Sequence, residues 1–209
     1  MTNVKVCGIT NFEDGWLSLD LGADMLGFNF YTKSPRHVSL PSARDIIAAL
    51  ETDSLIVGVF VDESIERILE VAAVANLGAI QLHGDESPQF VDALRDRTDC
   101  KIVKALQVTA DFGSEDAVGY DADAILLDAY SPHDRGGTGQ TFDWDVAKLA
   151  ATVVGELWLA GGLGPDNVRS AIANVKPYAV DACSSLESAP GVKDPEKLKR
   201  FITEAKRND

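Results

Sequence analysis

The chain has 209 residues, 45% of them hydrophobic, and a formal net charge of −14. That charge argues against nucleic acid and against an anionic membrane surface as partners, and no run of about 18 apolar residues offers a membrane span. Three cysteines (Cys7, Cys100 and Cys183) are too few and odd in number for a disulfide framework, and no signal-peptide stretch precedes the first strand pattern, so a reduced cytoplasmic setting is expected.

The chain opens with a short β-branched run over residues 4–8, followed by a helical pattern over 12–21 with Phe12, Trp16, Leu19 and Leu21 on one apolar stripe. A second run at 25–30 precedes a helix at 41–50, where Pro41 occupies a first-turn position that needs no N–H. A third run, 55–61, leads to a helix at 64–75 with Ser64 as its cap and Glu66 in its first turn. The run at 79–82 is followed by Ser87-Pro88, another helix start. After the run at 102–106 the helical signal is weakest, and residues 114–119 hold only a short helix or a loop. Runs at 124–128, 157–160 and 179–181 complete eight strands, followed in turn by helices at 143–151, 165–174 and 194–205, the last two with Pro in the first turn.

Eight βα units of roughly 25 residues each point to an α/β fold, a single (βα)8 TIM barrel with helix 5 short or missing. The rival, an open doubly wound sheet, usually has fewer strands. Gly136-Gly137-Thr138-Gly139 is not the dinucleotide fingerprint that such a sheet carries after its first strand. No linker or composition shift divides the chain, so residues 1–209 are expected to form one domain.

A TIM barrel carries its site at the C-terminal ends of its strands. Reactive residues collect there: Cys7-Gly8 after strand one, Lys33-Ser34-Pro35-Arg36 after strand two, Gln81-Leu82-His83-Gly84 at strand four, Asp128 at strand six, Gly161-Gly162 at strand seven, and Asp181 with Cys183-Ser184-Ser185 at strand eight. Gly161, Gly162, Ser184 and Ser185 suit a phosphate, since the loops after strands seven and eight often hold one. The alternative is an ordinary Gly-Gly turn and a Ser-rich helix start. Cys7 alternates with Lys5 and Asn3 and so faces the barrel interior; it is either a small core hydrophobe or a base whose thiolate Lys5 would favour. Asp128 shares parity with Leu126 and Ala124, and is either functional or paired with Lys5. Arg36 is a fork for a carboxylate or a solvated loop cation. His83 is a rim histidine or a ligand contact. His37, His83 and His133 lie in separate units without metal-ligand spacing, so no metal is expected.

Motifs through the chain carry a family resemblance. They are Lys5-Val6-Cys7-Gly8-Ile9-Thr10; Gly27-Phe28 with Ser34-Pro35-Arg36; Gln81-Leu82-His83-Gly84; and Leu127-Asp128. They continue with Gly136-Gly137-Thr138-Gly139 before Phe142-Asp143-Trp144; Leu159-Ala160-Gly161-Gly162-Leu163; and Glu187-Ser188 with Gly191-Val192-Lys193-Asp194. In this order the chain resembles the phosphoribosylanthranilate isomerases over residues 4 to about 201. The resemblance implies an Amadori rearrangement in tryptophan biosynthesis, with no cofactor and a small phosphorylated substrate. It implies Cys7 as general base and Asp128 as general acid, with Arg36, His83 and Asp181 holding the substrate. It also implies that Gly137, Gly139, Gly161, Gly162, Ser184 and Ser185 hold the 5-phosphate. Monomer and homodimer both fit.

The family's usual run after the eighth-strand Asp is close to Val-Ser-Ser-Gly-Val-Glu, whereas here it is Ala182-Cys183-Ser184-Ser185-Leu186-Glu187. Backbone donors survive that change. Closure of the barrel makes strands one and eight neighbours, which puts Cys7 and Cys183 near enough for oxidation to link them. Two other functions stay in view. One is an aminoimidazole carboxamide ribotide isomerase, against which Cys7 speaks because that family has Asp at this position. The other is a barrel that binds a phosphorylated metabolite without turning it over.

Overall fold

The computed structural model describes residues 1–129 and 143–207. Eight strands pair in parallel in chain order: β1 (Asn3–Cys7), β2 (Met25–Asn29), β3 (Leu55–Phe60), β4 (Ala79–Leu82), β5 (Lys101–Val108), β6 (Ala124–Ala129), β7 (Leu157–Leu159) and β8 (Ala179–Ala182). β8 closes on β1 with Lys5 opposite Asp181 and Val6 opposite Ala182.

The helices begin where short polar side chains precede an apolar period. Asn11 caps α1 (Phe12–Asp20), Ser39 caps α2 (Leu40–Leu50), Ser64 caps α3 (Ile65–Val74) and Ser87 caps α4 (Pro88–Arg95). Asp143 caps α5 (Trp144–Ala150) and Asp194 caps α7 (Pro195–Lys206). Each cap side chain accepts a first-turn N–H that the helix itself leaves unpaired. Between β5 and β6 there is only a 3₁₀ turn, Ser114–Ala117, in keeping with the weak helical signal there. A two-stranded hairpin, β9 (Glu187–Ala189) and β10 (Val192–Lys193), follows β8.

Two expectations from the periodicity are corrected. The helix expected over residues 165–174 is α6 (Val168–Val175). Pro165 lies outside it, because the Asn167 side chain is spent on the preceding turn rather than on a cap. In α1 the supposed inner stripe is partly outside: Phe12 is 38% and Trp16 52% exposed, while Asp14, Gly15 and Ser18 are buried. The small residues face inward because α1 approaches α2 closely; a Cβ on Gly15 would lie 3.1 Å from Leu50 Cδ1.

The core has two layers. Between strands and helices lies a continuous aliphatic layer that includes Val4, Leu26, Ile80, Leu127, Val180 and Leu198. Inside the barrel a smaller cluster, with Met25, Val57, Val103, Leu126 and Trp158, fills the axis. Lys5 is fully buried in that interior, so it must find charged or polar partners there. Those partners build the site.

Candidate active site

A pocket of about 380 Å³ opens at the C-terminal end of the barrel, lined by Cys7, Arg36, Gln81, His83, Asp128, Gly161, Gly162, Asp181, Cys183, Ser184 and Ser185 among others. Its floor is Lys5. The ammonium donates to Asp181 Oδ2 at 2.8 Å and to Gln81 Oε1 at 2.8 Å. Burial alone would favour the neutral amine, but Asp181 and Cys7 outweigh it and hold Lys5 as the cation. Burial pushes the Asp181 carboxyl up to about 6 against the pull of Lys5. Asp181 Oδ1 is buried and has no hydrogen-bond partner among the described residues. The pairing of Lys5 with Asp128 weighed from the sequence is thereby corrected: on the adjacent strand β8, Asp181 is the register neighbour of Lys5 and takes the ion pair.

Asp128 pairs instead with His83. His83 Nε2 lies 3.2 Å from Asp128 Oδ2, and Gln81 Nε2 lies 2.8 Å from His83 Nδ1. The hydrogen-bond logic runs in one direction. Lys5 has only donors, so it takes the Gln81 carbonyl; the Gln81 amide nitrogen therefore donates to Nδ1 of His83. The neutral ring then carries its proton on Nε2 and offers it to Asp128. Asp128 Oδ1 accepts the Ala129 N–H at 2.9 Å. The loop after His83 is braced by the buried pair Lys104 and Glu86, 2.6 Å apart. Glu86 also accepts the N–H groups of Gly84 and Asp62.

Cys7 is buried at the end of β1 beside Cys183, both as free thiols. A hydrogen bond between the two side chains and the charges of Lys5 and Lys193 hold the Cys7 thiol well below its ordinary range, against the opposing effect of burial. The same hydrogen bond and burial push the Cys183 thiol up. Lys193 Nζ donates to the Cys7 carbonyl at 2.6 Å and to Glu187 Oε1 at 3.3 Å. Glu187 in turn holds Arg36: Nε donates to Oε1 at 3.0 Å and Nη2 to Oε2 at 2.8 Å. Burial would raise the Glu187 carboxyl, but Arg36 and Lys193 outweigh it and hold it low. Arg36 is thus no solvated loop cation. Its Nε/Nη2 edge is committed to a carboxylate of the protein, and the residue lines the pocket.

At the β7 and β8 ends, Gly161 and Gly162 both have positive φ (80° and 65°). A Cβ on Gly161 would lie 2.5 Å from the Ala129 nitrogen, so this turn closes on the residue that follows Asp128. Asn167 clamps the turn, its Nδ2 donating to the Gly162 carbonyl at 3.0 Å and its Oδ1 accepting from Gly164 N–H at 2.8 Å. Ser184 and Ser185 open a 3₁₀ turn on the pocket wall. The Ser185 hydroxyl donates to the Leu163 carbonyl, so it ties the two loops together, and what it can offer an anion is its backbone N–H. Gly137 and Gly139 lie outside the described residues.

Cys7, Asp128, Arg36, His83, Asp181, Gly161, Gly162, Ser184 and Ser185 therefore share one pocket wall. Gln81, Glu187, Lys193 and Asn167 were given no role from the sequence. The first three lie in the motifs that carry the resemblance, and the signal available for them is a polar residue of strand parity (Gln81) or charges flanking a short turn (Glu187 and Lys193). Asn167 reads as a helix cap.

The family model of N-(5'-phosphoribosyl)anthranilate (PRA) isomerase matches residues 4–204. An N-(5'-phosphoribosyl)anthranilate isomerase of Geobacter sulfurreducens is 48% identical over 207 residues, covering 99% of both chains. The crystal structure of phosphoribosyl anthranilate isomerase from Thermotoga maritima superposes with a TM-score of 0.89 at 41% identity, covering 99% of each chain. A phosphoribosyl anthranilate isomerase in complex with reduced 1-(o-carboxyphenylamino)-1-deoxyribulose 5-phosphate superposes with a TM-score of 0.85 at 39% identity, again over 99% of each chain. An unbroken match along eight strands, with the strand-end residues in one pocket, leaves one assignment: this chain belongs to the N-(5'-phosphoribosyl)anthranilate isomerase family.

Proposed function

We propose that this chain converts N-(5'-phosphoribosyl)anthranilate to 1-(2-carboxyphenylamino)-1-deoxyribulose 5-phosphate with Asp128 as general acid and Cys7 as general base. The observation that carries the reading is that the Asp128 carboxyl, bonded to His83, and the Cys7 thiol, held low, line one pocket. Asp128 Oδ1 is taken by the Ala129 N–H, so Oδ2 is the oxygen that presents a proton. It protonates the furanose ring oxygen and the ring opens to an iminium at C1. The His83 Nε2–H then stabilises the carboxylate left behind. The Cys7 thiolate removes the C2 proton, giving an enolamine. Tautomerisation to the ketone adds a proton at C1 and releases the enol proton, which restores both groups.

The remaining residues bind. The Nη1 end of Arg36 meets the anthranilate carboxylate, and His83 flanks the ring. Asp181 Oδ1 accepts a ribose hydroxyl, the partner that its buried oxygen lacks. The Gly161–Gly162 turn, the Ser184 and Ser185 N–H groups, and Gly137 and Gly139 hold the 5-phosphate. A base of this kind needs a free thiol, which suits a reducing cytoplasm.

A steady-state assay following the loss of phosphoribosylanthranilate fluorescence tests the reading. Cys7→Ala and Asp128→Asn should each lower kcat by roughly 10²–10⁴-fold, the usual contribution of a placed proton-transfer group. Binding of the reduced product analogue should stay within a few-fold. Unchanged kcat in either variant removes that residue from its role.

A further inference from the structure

We propose that Lys104 and Glu86, a buried ion pair outside the pocket wall, are positioning residues for this reaction: together they hold the turn that carries His83, and so keep the His83 ring on Asp128. This rests on Asp128 being the acid that His83 serves. Lys104 stands on β5 opposite Leu82 of β4. Its strand neighbours Val103 and Ala105 face the barrel axis, so alternation sends Lys104 outward, into the layer between strands and helices. That layer is aliphatic there, with Ile80, Leu82, Val91 and Ile102. Lys104 and Glu86 are nonetheless each 2% exposed within it, with Nζ 2.6 Å from Oε2.

The pair spends its remaining bonds on the main chain beside His83. Lys104 Nζ donates to the Gly84 carbonyl at 2.8 Å. Glu86 accepts the Gly84 N–H at 3.0 Å and the Asp62 N–H at 2.9 Å. Both polar groups of Gly84 are therefore bound to one ion pair, and the turn after β3 is bound to the same carboxylate. The two turns fit closely, since a Cβ on Gly84 would lie 2.6 Å from the Asp62 nitrogen. His83 itself donates its N–H to the Phe60 carbonyl at 2.8 Å. With the backbone held at residues 83 and 84, the ring stands between Gln81 and Asp128.

Stability alone does not call for such a pair. Taking two charges out of water costs free energy that their attraction repays only in good geometry, and apolar residues of similar volume often serve a fold as well or better. An aliphatic pair would continue the layer around it. It could not bind the N–H and the carbonyl of Gly84, which is what this pair does beside the residue that meets Asp128.

The test replaces both members at once, because removing one alone leaves a buried charge unpaired. In Lys104→Met/Glu86→Leu the urea midpoint should stay near the parent value or rise, since Gly84 is only half-buried and Asp62 is exposed, where water can take the released N–H groups. The kcat for phosphoribosylanthranilate should fall roughly ten- to hundredfold, the scale of a small displacement of a catalytic constellation, with KM within a few-fold. The ¹⁵N shifts of the His83 ring should move from a fixed Nε2–H tautomer toward the average of both. Added to His83→Ala, the double replacement should cost no further activity, because the ring through which it acts is gone. Should the first double not fold, Lys104→Met/Glu86→Gln, which keeps an oxygen for the two N–H groups and buries no charge, carries the same test with a smaller change expected. Parent kcat and parent ring shifts in the folded double overturn the proposal. So does a loss of kcat that persists undiminished in the His83→Ala background, because the pair would then act elsewhere. Full kcat in His83→Ala alone, with ring shifts that still move in the double, would uphold the brace but overturn the service of His83 to Asp128 and with it the role of the pair in the reaction.

Discussion

Around His83, the direction of a single amide decides where a proton sits. Lys5 cannot accept, so it claims the Gln81 carbonyl oxygen, and every later donor and acceptor in the chain Gln81, His83, Asp128 follows. Replacing the amide by a carboxylate reverses the logic. In Gln81→Glu the group facing His83 Nδ1 becomes an acceptor, so the ring proton moves to Nδ1 or the ring becomes charged. The ¹⁵N shifts of the His83 ring should report that change, and kcat should fall about tenfold or more, because Asp128 loses its neutral Nε2–H partner. A ring that keeps its proton on Nε2 alone would show that Gln81 does not set it. That Cys7 would face the pocket was legible in the sequence from its strand parity and its place at the strand end. That of Gln81 was not, because an amide on an inward strand position has no meaning until its cation is known.

Among the elements, the turns after β7 and β8 bear most directly on the chemistry. Gly161 holds φ 80° and leaves no room for a Cβ beside the Ala129 nitrogen, so the turn proposed to hold the phosphate also buttresses the strand that carries Asp128. Gly161→Ala meets both problems: a left-handed backbone that L-residues avoid and a Cβ 2.5 Å from a main-chain nitrogen. It should cost roughly 1–3 kcal/mol of stability, read as a lower urea midpoint. It should also lower kcat as well as raise KM, because relieving the clash displaces Ala129 and with it Asp128. A KM effect alone would mean that the strand does not move with the turn. Most helix starts were readable, because a cap such as Ser64 or Ser87 acts within its own first turn. The exceptions lie where a neighbour intervenes. Asn167 forgoes its helix to clamp Gly162 and Gly164, and α1 turns Gly15 rather than Trp16 toward Leu50.

Over the whole molecule, a net charge of −14 on 209 residues makes self-repulsion a standing cost of compactness. Screening should relieve it: at neutral pH the melting temperature should rise as sodium chloride is taken from about 0.01 M to about 1 M, where the Debye length falls from roughly 30 to 3 Å. A melting temperature that stays level or falls would show that attractive surface pairs balance the excess. Within that acidic molecule Lys5, Lys193 and Arg36 gather beside the pocket, Lys5 paired with Asp181 and the other two with Glu187.

The sequence by itself determined the number of βα units, the inward parity of Lys5, Cys7 and Asp128, and the end of the barrel at which chemistry would gather, because periodicity and strand-end position are local properties of the chain. Only the tertiary structure decided the pairings. Lys5 meets Asp181 across 176 positions, Arg36 meets Glu187 across 151, and Asp128 meets His83 across 45. A residue's parity says that it faces the axis but not which strand stands beside or across from it. That is set by closure of β8 on β1 and by the register of that seam, which put an ion pair at the floor of the pocket and two sulfurs at its wall.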